Sequence, residues 1–174
     1  MVLYVMSQVQ HSEEVGGKNI DEEREKNKPL SLKKIEYYLK NSRTYLGAFY
    51  LNSFKDLLIK KENFSIVIHC NYHWFAIFVT KKTFEIFDPL GFLKKKKCFS
   101  ACFLNFIQTH LKNKVLYANP KIQSDQSNAC GYFVIFYILN REQNYSFNEI
   151  LSKFTKSYRK NQLLVKHFVN KLYR

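Results

Sequence analysis

Cys130 opens the apolar run CGYFVIFYIL directly after the polar stretch QSDQSNA. A cysteine at such a junction stands in the first turn of a helix, where unpaired backbone N–H groups and the helix dipole favour a thiolate. Gly131 behind it leaves room for another backbone to come close. A thiolate does covalent catalysis when a base sits beside it. His73 offers that base, because imidazole titrates near neutral pH and a histidine starting a strand can project from a sheet edge toward a cleft. Asp88 ends another strand just before Pro89. On an adjacent antiparallel strand it would hold the imidazole in one tautomer and stabilise its cation. Gln123, seven residues before Cys130, carries an amide that could donate to an oxyanion together with the Cys130 backbone N–H. Gln126 is a competing amide, and His69 a competing imidazole. Each residue also has a plainer use: a buried thiol, a turn histidine, a turn-starting aspartate, a solvated loop amide. The constellation, not any one member, points to a cysteine hydrolase.

The elements that must position these residues follow from patterning. Residues 7–29 are polar and charged, and the sequence assigns 1–30 to a flexible tail and 31–174 to one domain. Ser31 caps a helix running to about Lys40, with Leu32, Ile35 and Leu39 on one face. A loop containing Gly47 and a short helix over Phe54–Lys60 come next. FSIVIH, HWFAIFV and TFEIFD, at 64–69, 73–79 and 83–88, read as three strands of a meander. A helix is expected over 99–112, a short strand over Val115–Tyr117, and a central buried helix from Cys130. Ser146 and Glu149 form a capping box for a helix over 147–154, and a last helix covers roughly 158–172. The expected class is α+β, a small, mostly antiparallel sheet packed against helices.

These strings resemble the adenovirus protease family, which also occurs in adenovirus-like viruses, virophages and Maverick/Polinton elements. The residues carrying the resemblance are HWFAIFV around the histidine, FEIFDPLGF around the acid, QSDQSNACGYF around the glutamine and cysteine, and SLKKIEYYLKNSRTYLGAFY near the start. It covers nearly all of residues 31–140. It implies a papain-like, Ulp-like core with the nucleophile at the N-terminus of the central helix. It also implies catalytic roles for His73, Asp88, Gln123 and Cys130, in the order that family uses. Adenoviral enzymes usually carry Glu where this chain has Asp88, and Asp occurs in the wider clan of SUMO and ubiquitin-like proteases. The implied activity is cleavage of viral capsid or core precursors at Gly-Gly-type sites, through a groove beside Trp74 and Gly131 that admits glycine. The implied setting is the virion and the host nucleus or cytoplasm, with the protease acting as a monomer. An activating viral peptide is a further implied partner. Neither Cys98 nor Cys102 aligns with the cysteine that tethers that peptide in the adenoviral enzyme.

Composition bounds the remaining possibilities. The net charge is +14, and the acidic tail makes the body more basic still. Such a surface attracts polyanions, so DNA is an expected cofactor, with Lys94, Lys95, Lys96 and Lys97 forming the densest basic run. Four cysteines without a CxxC pair suit neither a disulfide scaffold nor zinc, and no metal or organic cofactor is expected. No apolar run reaches the ~18 residues of a membrane helix, and MVLYVM is too short and uncharged for a signal peptide. A protein that is not secreted and meets no membrane is therefore expected. Gly16-Gly17 in the tail is either a flexible linker or a self-cleavage site. Two rival functions are a SUMO- or ubiquitin-like-specific protease and a non-catalytic basic DNA-binding protein.

Overall fold

A computed structural model describes residues 28–51, 61–91, 101–109, 114–117 and 121–172. The tail with Gly16-Gly17, the expected helix over Phe54–Lys60, the run Lys94–Lys97, and Cys98 lie outside the described residues.

The described elements run α1 (Leu32–Leu39), β1 (Tyr45–Tyr50), β2 (Phe64–Cys70), β3 (His73–Val79), β4 (Thr83–Phe87), α2 (Ala101–Thr109), β5 (Lys114–Tyr117), α3 (Cys130–Glu142), α4 (Phe147–Ser152) and α5 (Tyr158–Leu172). The class is α+β. The five strands lie in the sheet in chain order. Pairing of β2 with β3 and of β3 with β4 is antiparallel, whereas β1 joins β2 and β5 joins β4 in parallel. The sheet is therefore mixed rather than mostly antiparallel. Short turns force the three central strands into a meander, but each edge strand is joined by a longer connection, which permits a parallel return that local patterning does not display.

Gly47, expected in a loop, lies inside β1. Its φ of 142° and the register shift between Tyr45 and Ala48 mark a bulge, and glycine is suited to such a break in the ladder. Two carboxylates tie this edge strand down. Glu142 at the end of α3 accepts from the Thr44 amide at 2.7 Å, the Thr44 hydroxyl at 2.9 Å and the Ser42 hydroxyl at 2.7 Å. Glu36 on α1 accepts from the Ala48 amide at 2.9 Å and the Tyr45 hydroxyl at 3.1 Å.

Every residue of β3 is buried, because the sheet is covered on both faces. Its period-2 alternation divides the core. Trp74, Ala76 and Phe78 join the cluster built by α1, α3, α4 and α5, while Phe75, Ile77 and Val79 join Phe103, Phe106 and Ile107 of α2. Helix α3 is apolar nearly all round and packs on β3, with Phe133 to Ile138 buried throughout. A helix so enclosed is the central helix the sequence predicted. Polar contacts fix its height on the sheet. Glu85 of β4, 1% exposed, accepts from Arg141 Nε at 2.7 Å, Arg141 Nη2 at 2.9 Å and the Tyr137 hydroxyl at 2.5 Å.

Candidate active site

The β2–β3 hairpin sets His73. Asn71 and Tyr72 form its two-residue turn with φ of 48° and 63°, the combination that matches the twist of a tight hairpin. His73 is therefore the first residue of β3, opposite Cys70. In the β3–β4 ladder Ala76 faces Phe87, so Asp88 continues β4 one diagonal step from His73 on the same face. The carboxylate spans that step: His73 Nε2 and Asp88 Oδ1 are 2.7 Å apart, with the side chains 11% and 3% exposed. Asp88 is itself held, since Oδ1 also accepts from the Leu90 amide at 3.0 Å and its carbonyl accepts from Gly91 N–H at 3.1 Å.

Cys130 is the first residue of α3 and 2% exposed. Amides in the first helical turn have no acceptor within the helix. Here Tyr132 and Phe133 are the first to find one, both on the Ala129 carbonyl at 2.9 and 3.2 Å. Burial pulls the His73 pKa down, but the hydrogen bonds and charges of Asp88 and Cys130 outweigh it and push the pKa up to about 9. Near neutral pH the imidazole is thus held as its cation between two anion-forming groups.

Gln123 is 1% exposed, and its Nε2 donates to the Ser127 carbonyl at 2.6 Å. Its backbone N–H and that of Ile122 both donate to the Pro89 carbonyl at 3.0 Å. The turn after the acid therefore carries the glutamine as well. Gln126, by contrast, is exposed. His69 is half-buried, edge-on to Tyr50 at 5.2 Å and tilted against Trp74 at 4.5 Å. Burial, then the neighbouring His73, lowers its pKa. The structure therefore brings His73 and Asp88 into contact, opens α3 with Cys130 near enough to favour the imidazolium, buries Gln123 in the loop leading to the cysteine, and leaves Gln126 at the surface.

Trp74 and Gly131 sit on either side of a residue the sequence assigned to the tail. The Trp74 indole N–H donates to the Leu30 carbonyl at 2.9 Å, and Trp74 is 3% exposed. A Cβ on Gly131 would lie 2.8 Å from Leu30 Cβ. Leu30, at 4% exposed, is thus core and touches the residues following both His73 and Cys130. One local signal marks it: an apolar residue just before the N-cap Ser31, with Ile35 at the matching helical position, is a hydrophobic staple. Ser127, Asn161 and Gln162 are further contributors that no local pattern reveals, because their partners lie far along the chain.

Among the described residues no group of His, Cys, Asp or Glu could hold a metal ion. No described helix is long and apolar enough to cross a membrane. Chemically, a buried thiol beside an imidazole that is itself bound to a carboxylate can form a thiolate, attack a carbonyl carbon and return a proton to a leaving group.

No family model matches the chain, and no curated protein matches it. Among solved structures it is similar to the central domain of the uncharacterized Lpg1148 protein from Legionella pneumophila, with a TM-score of 0.55 and 10% identity over 84% of this chain and 98% of that one. At that identity the likeness shows a shared fold alone.

Proposed function

We propose that the chain is a cysteine endopeptidase of the adenovirus-protease type, cleaving viral capsid or core precursors at Gly-Gly-type sites with Cys130 as nucleophile. The observation that carries the reading is the convergence of Asp88 and Cys130 on the imidazole of His73, at 2.7 Å for the carboxylate. A papain-like core in the Ulp-like arrangement, with the nucleophile opening the central helix, belongs to the same proposal.

The chemistry runs as follows. Cys130 reacts from an ion pair in which its proton already sits on the His73 imidazole, and the sulfur attacks the scissile carbonyl carbon. The oxyanion is met by the Cys130 backbone N–H and the Gln123 amide, each donor contributing roughly 3 kcal/mol. The tetrahedral intermediate expels the amine, which takes a proton from the His73 imidazolium, leaving an acyl-enzyme. Water, deprotonated by His73, hydrolyses the thioester and restores the thiol. Asp88 keeps the imidazole oriented and its cation stable throughout. Trp74 and Gly131, both packed on Leu30, back the site rather than line an open groove, DNA is a polyanionic cofactor for the basic surface, and no metal takes part. An activating viral peptide and action in the virion and host nucleus or cytoplasm complete the proposal.

Asp88 in place of Glu also favours a second reading, a SUMO- or ubiquitin-like-specific protease using the same residues. Candidate capsid precursors and a panel of ubiquitin-like fusions, each incubated with and without DNA, separate the two. Cleavage is expected with the precursors and to vanish in Cys130→Ala. A folded Cys130→Ala variant that cleaves like the wild type removes the assignment, and a wild type that only retains DNA leaves the basic DNA-binding alternative.

A further inference from the structure

Two neighbouring residues at the start of α5 grip both ends of the loop that carries Gln123. Asn161, 1% exposed, donates through Nδ2 to the Ile122 carbonyl at 3.0 Å, the residue immediately before Gln123. Its other capacity is fully used on Thr155: Nδ2 also donates to the Thr155 carbonyl at 2.9 Å, and Oδ1 accepts from the Thr155 amide at 2.8 Å and hydroxyl at 3.2 Å. Asn161 is thus locked in one orientation before it reaches the loop. Gln162 holds the other end, accepting through Oε1 from the Ser127 hydroxyl at 2.8 Å. Ser127 is the hub of the loop. Its carbonyl takes the Gln123 side-chain amide at 2.6 Å, and its hydroxyl oxygen takes the N–H of Ala129, the N-cap of the helix that Cys130 opens, at 3.2 Å. One serine therefore connects the glutamine amide to the base of the nucleophile's helix, and α5 holds that serine.

We propose that Asn161 and Gln162 are positioning residues for oxyanion stabilisation, fixing the aim of the Gln123 amide relative to the Cys130 N–H without touching substrate. The inference rests on the cysteine-protease reading above. It follows from the chemistry of the contacts. An amide whose own carbonyl partner is mobile cannot present its second N–H at a fixed point, and sub-ångström placement governs how much a donor contributes to the transition state. Helix α5 supplies the fixed frame, because Val165 and Val169 anchor it in the core beside α3.

Two simple probes separate aim from reactivity. Iodoacetamide alkylates a thiolate by displacement at a saturated carbon and forms no oxyanion. p-Nitrophenyl acetate acylates it through a tetrahedral oxyanion, and the Cys130-dependent rate is the difference from Cys130→Ala. Gln162→Met, which keeps the length but removes the acceptor, is expected to slow acylation about tenfold while leaving alkylation unchanged. Gln162→Glu, which restores an acceptor for the Ser127 hydroxyl, is expected to recover the wild-type acylation rate. In a Gln123→Ala background Gln162→Met is expected to cost nothing further, because the amide it aims is gone. Asn161→Asp, which keeps the acceptor for Thr155 and turns an oxygen on the Ile122 carbonyl, is expected to give the same split; if it fails to fold, the Gln162 series decides. Equal loss with both probes, unchanged acylation in Gln162→Met, or an additive loss on top of Gln123→Ala overturns the inference alone. Acylation that does not depend on Cys130 takes down both the inference and the protease reading.

Discussion

The charge state of His73 is the residue-scale quantity most open to measurement. Its pKa, raised to about 9 against an ordinary 6.5, means the folded protein binds that proton more tightly than the unfolded chain does. The resulting stability is fully present below pH 6.5 and is lost as pH rises from there through 9. At most it is on the order of 3 kcal/mol. Asp88→Asn keeps the shape and removes the carboxylate, so it is expected to lower the His73 pKa and to destabilise the protein most at acidic to neutral pH. The gap from wild type should close above pH 9. Urea unfolding of both proteins at pH 6, 8 and 10 tests this, and a gap that does not shrink with pH refutes it. On the proposed protease reading, the same titration is expected to set the upper limb of the acylation profile of a peptide substrate, since the cation that protonates the leaving amine disappears near pH 9.

At the scale of elements, the latch between β4 and α3 holds the helix that carries Cys130. Glu85 and Arg141 form a buried ion pair, with side chains 2% and 13% exposed. Removing one partner strands the other, so Arg141→Met is expected to cost about 3 kcal/mol in unfolding free energy. Glu85→Leu added to Arg141→Met should return most of that loss, a non-additivity that denaturant titration of the single and double variants reads directly. The strands around the site were legible in the sequence because alternating aromatic and β-branched runs joined by short turns admit one register. That register alone puts Asp88 within a diagonal step of His73. Helix α3 was legible because its apolar run is too long and too uniform for a strand. Strand β1 was not: glycine at position 47 and a bulge hide its periodicity, and its pairing with β2 depends on a connection of many residues. The polar clamp from α5 was equally hidden, since a hydrogen bond between Gln162 and Ser127 leaves no trace in local composition.

At the scale of the whole molecule, the two halves of the site come from opposite layers. The sheet delivers His73 and Asp88, the helical layer delivers Cys130, and the DPLG turn links the acid to the glutamine loop. Leu30 adds a third tie from outside both layers. It plugs the space between Trp74 and Gly131, bound through its carbonyl to one and packed on the bare Cα of the other. Chains beginning at Lys28 and at Ser31 should therefore behave as different proteins despite differing by three residues. The shorter one leaves a leucine-sized hole against the helix start, expected to cost roughly 2–5 kcal/mol by urea unfolding. Equal stability of the two trimmed forms would refute this. A trim that stops before Pro29 thus keeps the plug in place, whereas one more cut, past Leu30, loosens the ground beneath Cys130.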